Sequence, residues 1–293
     1  MSAPSPFARW GMRGVALTYL ALLLIIPLVV IFFRTFEHGL GAPIDAVTSS
    51  EGQHAFFLTL ICVGIAVPLN TVFGILTALV LVRQDFRGKG FLNSLIDLPF
   101  AVSPVVIGLS LFLVYGPRDG WIGGWLAENG IQVIFSVPGM VLATIFVSLP
   151  FVVREVMPVL QEIGTDQEEA AETLGASPWQ TFRKVTLPAI RWGVAYGVVL
   201  ATARALGEFG AVSVVSGRIS GHTQTLPLFV QKEFENFNIE GAYAAAIVLA
   251  VLALAVLFSM NVLQKRSSES DDSEGTDATP GTGVFVPQPV KEA

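Results

Sequence analysis

Apolar residues fall into six long runs separated by short polar stretches: about 14–33, 56–82, 98–115, 137–160, 191–216 and 242–263. Each run approaches the roughly 20 apolar residues that a helix needs to cross a bilayer. The pattern predicts an all-α, polytopic membrane protein with six transmembrane helices. Pro99 and Pro104 make the third run the weakest, although proline is tolerated in membrane helices where neighbours satisfy the carbonyls it frees. The first run follows Arg9 and Arg13, as a secretory signal follows its basic head. It is longer than the roughly 7–15 apolar residues of a signal, and no small-x-small cleavage site follows it, so it is expected to stay as a span. The chain then divides into an N-terminus at 1–13, a membrane domain at 14–265 with a polar loop at 161–190, and a tail at 266–293.

Charge orients this arrangement. With the N-terminus inside, inner segments hold Arg9, Arg13, Arg83, Arg87, Lys89, Arg183, Lys184, Arg191, Lys265 and Arg266, against Arg34, Arg118, Arg218 and Lys232 outside. This bias places both termini in the cytoplasm. Trp121 and Trp125, in the second outer loop, suit a segment lying at the interface. The chain is 53% hydrophobic and 14% charged, against about 25% charged for soluble domains. Much of its surface is therefore expected to face lipid. Net charge is −6, of which −5 lies in residues 267–293, where Glu269, Asp271, Asp272, Glu274, Asp277 and Glu292 face only Lys291. That tail reads as disordered. The near-neutral body offers no field for nucleic acid. Cys62 has no partner for an internal disulfide. No G-x-x-x-x-G-K-S/T run, H-E-x-x-H pair or Cys/His cluster is present; His38, His54 and His222 are scattered through outer loops. The expectation is a translocation protein, not an enzyme, with no cofactor of its own and any ATP chemistry on another chain.

The loop at 161–190 carries the most information. Thr165-x-x-Glu168 is a capping-box pattern, so a helix should start near Asp166. Asp166, Glu168 and Glu169 then put negative charge in the first turn, where the helix dipole favours it. Gly175 should end that helix in the left-handed conformation. Ser177-x-x-Gln180 is a second capping box with Pro178 at the favoured first position. Its helix should reach about Thr186 and stop before Leu187-Pro188. A DNA-binding pair of helices is excluded by Glu162, Asp166, Glu168, Glu169 and Glu172, which would face phosphates.

The spacing Glu169-Ala170-Ala171, three residues, Gly175, nine residues, Val185-x-Leu187-Pro188 resembles the E-A-A-x3-G-x9-I-x-L-P signature of ABC importer permeases, with Val185 in the isoleucine position. The resemblance implies the type I importer permease fold. It also implies a short helix that docks into a groove of a separate ATP-binding subunit, present in two copies that hold ATP and Mg. Glu168, Glu169, Ala170, Ala171, Gly175, Leu187 and Pro188 are the residues it assigns to ATPase coupling.

Two further segments narrow the resemblance. Leu98–Leu109, reading L-P-F-A-V-S-P-V-V-I-G-L, is similar to the third span of sulfate permeases. Arg204–Gly217, reading R-A-L-G-E-F-G-A-V-S-V-V-S-G and followed by Thr225-Leu226-Pro227-Leu228, resembles the W-type permease of bacterial sulfate/thiosulfate importers. The R-A-x-G-E-F-G core is shared with molybdate permeases. In the W-type pattern a basic residue follows the isoleucine of the S-G-x-I segment; here Arg218 precedes Ile219. The resemblance covers about residues 10–265. It implies a second, homologous T-type permease subunit, an extracytoplasmic sulfate-binding protein that carries most of the specificity, and a place in the bacterial cytoplasmic membrane. The alternatives are a molybdate/tungstate ABC permease and an ATP-independent secondary anion transporter.

Apart from any family, Arg204 and Glu208 lie four residues apart on one helical face. Charges at membrane depth are costly and face a bundle interior or an aqueous path. Arg204, Glu208, Gly207, Ser103 and Arg218 are therefore candidates for pathway or packing roles, with mutual neutralisation of Arg204 and Glu208 the less costly arrangement. Gly207, Gly210, Gly193 and Gly197 read as close-packing positions. Arg154 is expected to snorkel to the headgroups and Asp97 to cap the third span. Glu233, Glu235 and Glu240 form an acidic patch that is either solvated surface or a contact for the binding protein.

Overall fold

The structure is a computed structural model that describes residues 6–37 and 39–276; residues 1–5, His38 and 277–293 lie outside the described residues. In chain order the helices are α1 (Pro6–Leu20), α2 (Ile26–Phe36) after a π turn at Ala21–Ile25, α3 (Gly41–Thr48), α4 (Ser50–Arg83), α5 (Lys89–Ala101), α6 (Pro104–Tyr115), α7 (Gly123–Glu128) and α8 (Val137–Ile163). They continue with α9 (Asp166–Thr173), α10 (Pro178–Thr181), α11 (Leu187–Ala189) after a π turn at Phe182–Thr186, α12 (Arg191–Leu206), α13 (Gly210–Val215), α14 (Leu226–Glu235) and α15 (Ile239–Thr276). Among the described residues every regular element is helical.

Four stretches are long and apolar enough to cross a membrane: Trp10–Phe36, Ser50–Arg83, Val137–Ile163 and Ile239–Phe258. The other two expected spans are not single helices. α5 and α6 are bent by 114°, and the α10–α11 stretch turns by 69° into α12. Counting each bent pair as one span gives six. The break at Val102–Ser103 follows from Pro104, whose ring disfavours helical geometry at the residue before it; Ser103 is extended at φ −59°, ψ 135°. The fifth expected span, 191–216, is interrupted at 207–209, between α12 and α13. The last helix runs beyond the expected span into the segment assigned to the tail, as far as Thr276.

Most of the core gathers along α8. One cluster joins Ile75, Ala78 and Leu81 of α4 with Ile96 of α5, Val152, Val153, Val156 and Leu160 of α8, Ile190, and Ala201 of α12. A second joins Leu58 and Cys62 of α4 with Ile107 of α6, Met140, Val141, Ala143 and Val147 of α8, Ala211, Val212 and Val215 of α13, and Leu228 of α14.

Glycines set how closely these helices approach. A Cβ on Gly74 of α4 would lie 2.7 Å from a methyl of Val152, and one on Gly197 of α12 would lie 2.9 Å from the Val152 Cα. A Cβ on Gly193 would lie 3.0 Å from the Glu155 carbonyl. α6 and α13 meet in the same way: a Cβ on Gly108 would lie 2.7 Å from the Ala211 carbonyl, and one on Gly210 would lie 2.8 Å from the Pro104 Cβ. Gly207 differs from its neighbours, with nothing nearer than the Ala203 carbonyl at 4.0 Å. The close-packing expectation thus fits Gly193, Gly197 and Gly210, while Gly207 instead follows the last residue of α12 at the break.

Asn70 adds a buried polar bridge, donating from Nδ2 to the Ile145 carbonyl at 3.1 Å and to the Ser148 hydroxyl at 2.8 Å. Such interhelical hydrogen bonds contribute about 0.6 kcal/mol on average in membranes. Overpacking a tight contact costs about 1–3 kcal/mol, so the glycine contacts weigh more.

Gly197→Val should destabilise the protein by about 1–3 kcal/mol, read as a lower melting temperature in detergent. Gly64→Val, at a position where an added Cβ meets nothing within 4 Å, should melt like the unaltered protein.

Candidate functional site

α9 and α10 form a hinged pair at one end of the bundle, where α4 and α8 also terminate. Gly175 adopts φ +86°, a conformation open to glycine. Its N–H donates to the Glu172 carbonyl at 2.9 Å, and the Ala176 N–H donates to the Ala171 carbonyl at 3.0 Å. These bonds close the carbonyl end of α9 as a glycine-terminated helix requires. The capping box at the start of α10 also forms: the Ser177 hydroxyl accepts from the Gln180 N–H, and Gln180 Oε1 accepts from the Ser177 N–H at 2.9 Å.

Two local expectations are corrected. α9 starts at Asp166, but Thr165 makes no cap hydrogen bond to its backbone. Thr165 Oγ1 donates instead to Glu169 Oε1 at 2.7 Å. Glu168 is drawn away from a local cap by Arg83, whose Nε lies 2.9 Å from Glu168 Oε2. The second helix also does not stop before Leu187-Pro188; it passes through the π turn at Phe182–Thr186 into α11. The wider turn suits a proline, which lacks the N–H for the regular ladder and would clash with the carbonyl of the preceding turn.

The pair presents an apolar tip. α9 buries none of its residues. Leu174 is 89% exposed and Trp179 is 67% exposed, with the Trp179 ring 5.6 Å from that of Phe182. Glu169, Ala170 and Gly175 are exposed, and Ala171 and Glu168 are half-buried. A shallow cavity of about 270 Å³ lies between the two helices, lined by Ala171, Leu174, Gly175, Gln180, Lys184 and Val185. Leu187 packs into the core beside the spans, and Pro188 is exposed. Sequence spacing passed over Leu174 and Trp179, although an isolated large apolar residue on each side of a turn glycine was visible.

The charged groups find partners that sequence separation hides. Arg154 has a fixed partner: its Nε donates to Asp97 Oδ1 at 2.8 Å, joining α8 to α5. Asp97 therefore holds a neighbouring helix instead of capping its own. Arg204 and Glu208 pair as expected, Nη1 to Oε2 at 2.7 Å, with Glu208 nearly fully buried. They do not share one helix, however, because α12 ends at Leu206. Glu208 sits in the break, and its Oε1 accepts from the Ala211 N–H at 2.8 Å, closing the start of α13. Ser103 is exposed at the start of α6. Arg218, at φ +55°, donates from Nε to the Ser213 carbonyl at 3.2 Å, near the end of α13.

At that far end, Glu233 accepts from Asn238 and Glu235 from Gln231, each at 2.6 Å. Lys232 pairs with Glu51, and His54 Nε2 lies 3.2 Å from the His222 carbonyl. Trp121 of the loop before α7 is 90% exposed. In the loop after α4, a hydrogen bond and the positive charge of Lys89 hold the Asp85 carboxyl below its ordinary range.

Long apolar helices around α8, two of the spans broken, with a hinged helix pair projecting from one end, define a polytopic membrane protein. The chain belongs to the binding-protein-dependent transport system inner membrane component family, which matches residues 70–269. It is 54% identical over 268 residues to the sulfate transport system permease protein CysW of Synechocystis sp. (strain ATCC 27184 / PCC 6803 / Kazusa), covering 91% of this chain and 97% of that one. It is 39% identical over 253 residues to the sulfate transport system permease protein CysT of Escherichia coli (strain K12), covering 86% and 91%. Its fold matches that of a bacterial ABC transporter involved in the import of the acidic polysaccharide alginate, with TM-score 0.74, 19% identity, and coverage of 89% of this chain and 96% of that one. The chain thus has the ABC importer permease fold and is a translocation subunit of an inner membrane transport system, not an enzyme.

Glu208→Leu should leave Arg204 without its carboxylate and the Ala211 N–H without its acceptor, at a cost of about 3–5 kcal/mol. Glu208→Gln, which keeps an acceptor oxygen for Ala211, should cost less. Melting temperatures of the two purified variants check the order.

Proposed function

We propose that the chain is the W-type permease subunit of an ATP-driven importer that carries sulfate or thiosulfate across the bacterial cytoplasmic membrane, with both termini cytoplasmic. The observation that carries this reading is the 54% identity to a CysW sulfate permease over 91% of the chain. The lower identity, 39%, to a CysT permease supports a second, homologous T-type subunit as its neighbour. The excess of Lys and Arg at the end bearing α9 and α10 supports placing that end in the cytoplasm.

In this reading two copies of an ATP-binding subunit hold ATP and Mg, and this chain binds neither. The hinged pair is the docking element. Glu169, Ala170, Ala171 and Gly175 shape it, and Leu174 and Trp179 supply the large apolar contacts that dominate binding at such surfaces. Glu168 turns inward, and Leu187 and Pro188 link the element to α12 without reaching the tip. An extracytoplasmic binding protein delivers the tetrahedral dianion, which many aligned donors hold well. The permease alternates between inward and outward states around the anion. Ser103, Gly207, Glu208 and Arg204 lie at or beside the two helix breaks that interrupt the third and fifth spans. Irregular backbone at membrane depth is tolerated where it is buried or lines a path, which makes these breaks the proposed walls of the route. Arg218 lies farther out, near the end of α13.

Cells lacking the gene should lose uptake of labelled sulfate, and excess molybdate should not compete in cells that carry it. Loss of molybdate uptake with sulfate uptake intact overturns the substrate assignment. Gly175→Asp should lower sulfate uptake by about tenfold or more, the scale of losing one dominant docking contact, with unchanged protein in the membrane. Unaltered uptake in that variant counts against docking through α9 and α10.

A further inference from the structure

α9 is fastened to the spans almost entirely through one side chain. None of its residues is buried, so apolar packing does little to hold it. Glu168 is the exception to its otherwise outward-facing charge. Its Oε2 lies 2.9 Å from Arg83 Nε, and its Oε1 accepts from the buried Thr186 hydroxyl at 2.7 Å. Arg83 is the last residue of α4. The same guanidinium donates from Nη1 to the Leu160 carbonyl at 3.0 Å and from Nη2 to the Gly164 carbonyl at 2.6 Å. Leu160 lies in the last turn of α8, where carbonyls lack intrahelical donors, and Gly164 is the joint between α8 and α9.

One arginine therefore ties together the ends of α4 and α8, the joint between α8 and α9, and α9 itself. Thr186 extends the connection into the segment leading to α12. The planar fork of arginine can serve several acceptors at fixed angles, as lysine cannot. A cavity of about 460 Å³ opens beside the junction, lined by Leu76, Leu79, Gln84, Glu172 and Phe182 among others. Polar contacts, more than close packing, join α9 to that junction.

We propose that Arg83, Glu168 and Thr186 form the linkage through which displacement of α9 reaches α4, α8 and α12, making Arg83 and Thr186 positioning residues for transport. This rests on the reading of α9 and α10 as the ATPase docking element. Loss of the linkage leaves the docking face intact and uncouples it from the spans. ATP is then hydrolysed with less anion moved per turnover.

The test uses the complete transporter, with both permeases and the ATP-binding subunits, reconstituted in vesicles with binding protein and labelled sulfate. Three quantities are read: ATPase subunit retained on purification, ATP hydrolysed, and sulfate imported per ATP. Arg83→Gln should retain the ATPase and lower sulfate imported per ATP by about tenfold or more, the scale of losing hydrogen bonds to a charged group. Arg83→Lys should recover part of that ratio. Thr186→Val, which is nearly isosteric, should lower it by about threefold to tenfold and decides the matter if Arg83→Gln does not assemble. An unchanged ratio in the assembled variants overturns the linkage, even where the yield of complex falls, because a purely structural role lowers yield alone. An unaltered permease that retains no ATPase overturns the docking reading, and the linkage with it.

Discussion

The close approach of α4 and α12 to α8 is the constraint on which the other features depend. In lipid, apolar surface gains little by leaving its solvent, so helices associate through tight van der Waals contact and buried polar bridges. Gly74 and Gly197 bring two helices against the same valine, Val152, from different elements. That contact holds α8 in place, and α8 leads directly through Gly164 into α9. The hinged pair inherits its position from a glycine-notched helix core several turns away, and Arg83 reaches both α8 and α9 because α4 ends beside them.

The broken spans answer a second constraint. Backbone groups at membrane depth must find partners within the protein. At the start of α13 the Glu208 carboxylate supplies one, accepting from Ala211, and Arg204 neutralises its charge. At the start of α6, Pro104 removes one donor that would otherwise need an acceptor. α6 and α13 then pack backbone to backbone through Gly108 and Gly210. The two interruptions support one another and form a paired unit in the half of the protein opposite the hinged helices.

Local chemistry was legible in the sequence and long-range choice was not. The left-handed turn at Gly175 and the capping box at Ser177 depend only on neighbouring residues, and both are present. The Arg204–Glu208 pair was legible from its spacing, but the break between its members, after Leu206, was not. Pro104 did announce the other break. Thr165-x-x-Glu168 has the residues of a capping box, yet Glu168 takes Arg83, 85 positions away in sequence. Arg154 takes Asp97 across 57 positions. In each case a charged side chain near the end of a span found a fixed partner on another helix. Only the assembled bundle shows which one.

Leu174 is the most exposed apolar point on the helix pair proposed to dock the ATP-binding subunit. A photoreactive residue placed there in the complete transporter tests that claim most directly. An adduct with the ATP-binding subunit is expected, lost when the same residue replaces Trp121 at the opposite end. Adducts at Leu174 confined to lipid or to the extracytoplasmic binding protein would contradict it.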